Sequence, residues 1–220
     1  MGEGTASAAG TLLRSAVADL DARAVAEHDP QGHAHALGFL AAAQMGAGNV
    51  SASEELADRA LAAAEGIGDV WGTAAAVSVR ARHALVHGDL AAARREGESA
   101  ARLFSAVGDR WGLLQTVFPR AALHEIGGEY PQASRLHEEG LAIAEELGLR
   151  TEAGKRLCAL GRSALLAGAY EESRQRHADA LRLAREQTTG PGRPTPGSDS
   201  PWLPGAPATW SAPRSTCGRC

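Results

Sequence analysis

Small and apolar residues recur along the middle of the chain at helical spacing. Val77, Ala81, Ala84 and Leu85 form one i, i+4, i+7, i+8 stripe, and Leu90, Ala93, Gly97, Ala100 and Leu103 form the next. Glycine bounds each stripe: Gly68, Gly88 and Gly108 lie at even intervals, with room between neighbours for a helix of about 17 residues, roughly 25 Å long. The pattern therefore predicts two helices joined by a tight turn. A glycine at such a turn supplies the left-handed residue that ends a helix, and a following acidic residue such as Asp89 or Glu129 favours the next N-terminus.

This hairpin repeats. Gly68-Asp69-Val70-Trp71-Gly72 returns as Gly108-Asp109-Arg110-Trp111-Gly112, a step of 108 − 68 = 40 residues. A second glycine series, Gly48, Gly88, Gly128 and Gly168, runs in the same register, with Gly148 continuing the first. Small residues keep step where two helices must nearly touch: Ala81, Ala121 and Gly161 in first helices, Ala93, Ala133 and Ser173, and Ala60, Ala100, Gly140 and Ala180, in second helices. Self-similarity of this kind marks stacked supersecondary units. The expected fold is all-α, a right-handed solenoid of antiparallel hairpins with a period of 40 residues. Its helix pairs are expected at 32–46 and 52–66, 71–87 and 90–106, 111–127 and 131–147, and 151–168 and 170–187.

The small residue seven before the hairpin glycine, the Gly-x-Tyr turns (Gly128 with Tyr130, Gly168 with Tyr170) and the alanines five and twelve residues after that glycine resemble the tetratricopeptide repeat. The resemblance covers residues 31–187 and departs from the family's period of about 34 residues. With Leu103 to Gly112 joining units, the longer form resembles the C-terminal arrays of bacterial regulators of the LuxR and AfsR classes. That resemblance implies a protein or peptide partner held in a concave groove lined by first helices.

Around this array, residues 1–10 read as a disordered N-terminus, and Thr11 to His28, with Leu12, Leu13, Val17 and Leu20 at helical spacing, as an opening helix broken by Asp29-Pro30. The repeat domain is thus expected over 11–187. Pro119 falls inside a predicted helix, where a kink is expected. Residues 188–220 change character: seven of the 10 prolines lie between Pro191 and Pro213, with no helical period. Two readings stand for them. One is a Pro/Gly-rich disordered tail. The other is a frameshift near Gln187: read one nucleotide early with GC-rich codons, the segment encodes approximately a further repeat copy, and the chain is then a piece of a longer array. An array ending at the Tyr170–Gln187 helix leaves an apolar face uncapped, which implies self-association there.

Composition bounds the chemistry. The chain has 44% hydrophobic and only 4% aromatic residues, as closely stacked Ala/Leu/Val helices require. Net charge is −4, and because Arg193, Arg214 and Arg219 against Asp199 give the last segment +2, residues 1–187 carry −6. That argues against nucleic acid as a direct partner. No apolar run approaches the ~18 residues that span a bilayer, and no basic signal opens the chain, so a cytoplasmic location and no membrane partner are expected.

Motifs for catalysis or cofactors are lacking. His83 and His87 stand at i, i+4, but no third ligand follows in the pattern, so they read as surface histidines. His137 and His177 are repeat-equivalent positions, and Cys217 to Cys220 is a CxxC with no helix behind it. No nucleotide-binding glycine motif is present, and no cofactor or metal is expected. Projecting the register onto the groove gives Ser78 and Arg82, Phe118 and Ala122, and Cys158 and Arg162 as partner-facing candidates, with Glu125 at the edge. Arg82 and Arg162 suit a peptide carboxylate; their alternative reading is solvated surface. The functional expectation is a non-catalytic interaction scaffold. Its alternative is the sensor portion of an ATP-dependent transcriptional regulator lacking the ATPase and DNA-binding domains, and an adjacent reading frame for either domain separates the two.

Overall fold

The computed structural model describes residues 28–189, and Ser15 in addition. The opening helix expected at Thr11–His28, the N-terminal segment and residues beyond Thr189 fall otherwise outside the described residues. Within them are eight helices: α1 (Pro30–Gly46), α2 (Val50–Gly66), α3 (Val70–Val86), α4 (Leu90–Ala106), α5 (Arg110–Ile126), α6 (Tyr130–Glu146), α7 (Arg150–Leu166) and α8 (Tyr170–Thr189). No strand occurs among the described residues.

Each turn is built the same way. Gly48, Gly68, Gly88, Gly108, Gly128, Gly148 and Gly168 all have positive φ, between 67° and 81°. At each, the glycine N–H and the next N–H turn back onto the helix that is ending; Gly88 donates to Leu85 and Asp89 to Ala84, at 3.1 and 2.9 Å. This is the Schellman arrangement, which satisfies the orphan carbonyls and reverses the chain in three residues. The next helix starts at once. Asp29, Asp69 and Asp89 accept from Gly32, Trp71 and Ala92 backbone N–H groups. Two acidic residues at this position do something else: Glu129 binds His124, and Asp109 accepts from Trp71 of the preceding unit, so neither caps by its side chain. Pro30, read as a breaker, is the first residue of α1, where its missing N–H costs nothing.

Consecutive helices pack on one another, and α3 also packs on α1 and on α5. The odd helices thus form an inner row, close between α1 and α3 and opening toward α7. Small residues set the spacing: Ala81, Ala121 and Gly161, Ala93, Ala133 and Ser173, and Ala60, Ala100, Gly140 and Ala180 are all buried, as the register requires. Apolar clusters fill the seams, among them Leu37, Leu56 and Val79, then Ala74, Ala100 and Phe104, then Val117 and Leu136, then Leu114 and Ile143. Phe104, not the neighbouring Leu103 of the sequence stripe, is the large side chain that α4 buries fully. Helix α3 is not one-sided either. Gly72, Ala74, Ala76, Ser78, Val79, Ala81 and His83 are buried around most of its circumference, because four helices surround it. Helix α5 continues through Pro119, which is fully buried.

Candidate functional site

The Gly-Asp-x-Trp-Gly phrase turns out to be a joint. Asp69 accepts the Trp71 N–H at 3.1 Å and lies 2.6 Å from His35 Nε2 of α1. Trp71 then donates its indole N–H to Asp109, the equivalent aspartate of the next joint, at 2.6 Å. Glycine after each tryptophan is sterically required: a Cβ at Gly112 would stand 2.2 Å from Phe104 Cδ1, and one at Gly72 would stand 2.5 Å from Asp69 Oδ2. The chain of joints stops at Trp111, because the position that should hold its acceptor is Leu149, the N-terminal residue before α7.

These joints gather aromatic rings on the inner row. His35 packs at 4.4 Å and Phe39 at 5.8 Å from Trp71 between ring centroids, Phe104 meets the same ring edge-on at 6.2 Å, and Phe39 reaches Trp111 at 6.2 Å. Between them lies a recess of about 60 Å³, with Gly38, Phe39 and Ala42 of α1 on one wall, Trp111 and Gln115 of α5 opposite, and Ala75, Ser78 and Arg82 of α3 along its floor. It is too small for a drug-sized ligand, whose pockets are ~300–1,000 Å³, and suits one inserted side chain. Phe39 remains 53% and Trp111 39% exposed although each has aromatic neighbours to pack on, so the mouth of the recess is apolar and open.

Of the groove candidates taken from the sequence, Ser78 and Arg82 come together here. Ser78 is buried, and Arg82 is half-buried with a buried Nε that has no hydrogen-bond partner. Burial alone pushes the Arg82 guanidinium below its ordinary value. Phe118 and Cys158 are exposed and Ala122 half-buried, and none of the three lines the recess. Phe39, Trp71, Trp111 and Gln115 are among the lining residues missed by the sequence reading. A signal for them existed: Trp71, Ala75, Ser78 and Arg82 follow one another at i, i+4, i+7 and i+11 along one helix face.

Glu125 and Arg162 meet as well, but away from the recess. Arg162 Nη2 donates to both Glu125 oxygens, at 3.0 and 2.9 Å, and buried Ser163 donates at 2.9 Å. His137 Nε2 of α6, 1% exposed, stands 3.4 Å from the same carboxylate, longer than a well-formed hydrogen bond. Burial pulls the Glu125 carboxyl up, but His137, Ser163 and Arg162 together outweigh it and hold it at about 2. This cluster clamps α5, α6 and α7, and it leaves Arg162 committed within the chain.

The histidines divide in an unforeseen way. His83 is buried rather than on the surface, with Nε2 2.7 Å from Ser53 Oγ, while Ser53 Oγ donates to the Ala41 carbonyl at 2.7 Å. The serine has one proton and Ala41 takes it, so His83 is the donor to Ser53 and the pair is not poised for nucleophilic attack. Burial lowers the His83 pKa, which keeps this ring neutral. His87 pairs with Glu54 instead. No group of three metal-ligating side chains occurs among the described residues, and none of their helices is long and apolar enough to cross a membrane.

No protein-family model matches the chain, and no curated protein does. Among solved structures, the fold is similar to the crystal structure of BtubC (BKLC) from P. vanneervenii, with a TM-score of 0.61, covering 85% of this chain and 73% of that one at 16% sequence identity. At that identity the likeness is one of fold: an all-helical array of repeat type.

Proposed function

We propose that this chain is a non-catalytic protein-interaction scaffold, a right-handed array of tetratricopeptide type that holds a partner segment along the inner row α1, α3 and α5. The observation that carries the reading is the aromatic recess, whose rings stay open to solvent on the face where the odd helices line up. Apolar surface that is contiguous and exposed, as at this mouth, is where interaction sites are found. The commitment of the Ser53 proton to a backbone carbonyl supports the non-catalytic part. The Leu103–Gly112 joint keeps a regulator's sensor array as the second reading, and that reading uses the same groove. We place the protein in the cytoplasm on its sequence.

Selection of displayed peptides on the intact chain tests the proposal. Peptides enriched on the wild type should lose binding on Phe39→Ala and Trp111→Ala and keep it on Arg135→Ala, an exposed change on α6. Enriched peptides that bind all three variants equally would place recognition elsewhere and contradict the proposal, as would a selection that enriches nothing.

A further inference from the structure

Two arginines occupy the same place in their helices. Arg82 is the thirteenth residue of α3, and Arg162 is the thirteenth of α7. For Arg162 the counterion comes from inside the chain: Glu125, sixteenth in α5, takes it through both oxygens. The residue in that place before Arg82, sixteenth in α1, is Met45. At the junction between these two the corresponding residues are Leu85 and Ala122, and neither charge is present. Arginine without its glutamate therefore occurs once, and it occurs at the aromatic recess.

The consequences for Arg82 are visible. No ion pair reaches it among the described residues, its Nε is buried without an acceptor, and burial is what displaces its protonation equilibrium, with no carboxylate working the other way. A half-buried cation without a partner is unfavourable, and a carboxylate that arrives with two acceptor oxygens removes the deficit and fits the guanidinium fork. A fully solvated surface arginine would show none of this.

We infer that Arg82 and the recess beside it receive a partner segment bearing a side-chain carboxylate next to an apolar side chain, the carboxylate standing to Arg82 as Glu125 stands to Arg162. The apolar neighbour enters between Phe39, Trp71 and Trp111. A side-chain carboxylate is favoured over a chain terminus because the internal counterpart is itself a side chain, projecting from a backbone that continues past the arginine. The charge on the partner also complements the one unpaired cation that lines the recess. This inference rests on the groove reading above and adds the chemistry of what the groove selects.

The test uses end-blocked synthetic peptides with a Leu-Glu-Leu centre and their Leu-Gln-Leu counterparts, titrated against the full chain and followed by the NMR signals of its tryptophan indoles and arginine Nε–H groups. The acid peptide should bind at least about tenfold more tightly than the amide, roughly 1.4 kcal/mol, and should shift the Arg82 Nε–H signal. Arg82→Gln should erase the preference, bringing the acid and amide peptides to equal affinity on the variant, and circular dichroism should show the variant fully helical. Equal affinity for acid and amide, with the indole of Trp111 responding, would overturn the carboxylate inference and leave the groove standing. Binding of neither peptide, with no indole response, would overturn both. A peptide with a free C-terminal leucine and no glutamate that matched the acid peptide would overturn the choice of a side-chain source.

Discussion

Two neighbouring junctions of the inner row are made from different materials, although the helices on either side have the same length and the same turns. Between α3 and α5 the joint is aromatic and uses Trp71, Asp109, Phe104 and Phe39 around a recess. Between α5 and α7 it is ionic and uses Glu125, Arg162, Ser163 and His137, and the two helices hardly touch directly. The aromatic joint fills space incompletely and keeps an open cation at its edge. The ionic joint satisfies its own cation and closes. A repeat register therefore fixes where side chains stand, and the residue chosen at a single position decides whether the site there is occupied internally or left for a partner.

The largest effect that separates the two regions should come from their glycines. Gly112→Ala puts a Cβ against Phe104 and Asp109 and should cost about 3 kcal/mol in chemical denaturation through overpacking. Gly154→Ala on α7 meets nothing closer than Leu183 Cδ2 at 3.9 Å and should stabilise by about 0.5–1 kcal/mol through helix propensity. Equal effects of the two changes would show that the aromatic joint is not tightly packed. A smaller effect is expected for Trp71→Phe, which keeps the ring contacts and removes the indole hydrogen bond to Asp109. The loss should be about 1.5–3 kcal/mol, the range for a bond to a charged group, and a melting midpoint unchanged from wild type would remove that bond from the account.

The ionic joint should show itself in acid. The Glu125 carboxyl sits at about 2 in the folded chain against 4.5 for an unperturbed glutamate, so the unfolded chain binds the proton first. The stability this contributes is complete above about pH 5 and is lost as the pH falls through that interval toward 2. Glu125→Gln should therefore flatten the pH dependence of stability between about pH 5 and pH 2 while the aromatic variants keep the wild-type slope. Parallel slopes for Glu125→Gln and wild type would show that the cluster is not a linked proton site.

Helix bounds and turns were legible in the sequence because they depend on neighbours: a glycine with φ above zero and the residues that cap around it lie within one turn of each other. The small residues at helix crossings were legible for the same reason, since 40-residue periodicity repeats the same steric demand. What the site needs is different. Trp71 with Asp109, Arg162 with Glu125, and Arg110 with Glu146 lie 38, 37 and 36 residues apart, across one junction, and only a search for complementary pairs just under one repeat finds them. Ser78 and Arg82, projected from register onto the groove, both line the recess, whereas Arg162, projected the same way, donates to Glu125, which comes from two helices earlier. His83 was read as surface because a 3.6-residue stripe assumes one buried face, and α3 is surrounded.

Arg82 is open because Met45 stands where Glu125 stands before Arg162. Thermal unfolding of Met45→Glu, Arg82→Gln and the double variant, taken as a double-mutant cycle, measures it directly. Met45→Glu should stabilise the wild type, the gain should depend on Arg82 with a coupling of at least about 0.5 kcal/mol, and the variant should no longer prefer acid over amide peptides. A Met45→Glu effect of the same size with and without Arg82, or an acid preference that survives the new glutamate, would contradict it.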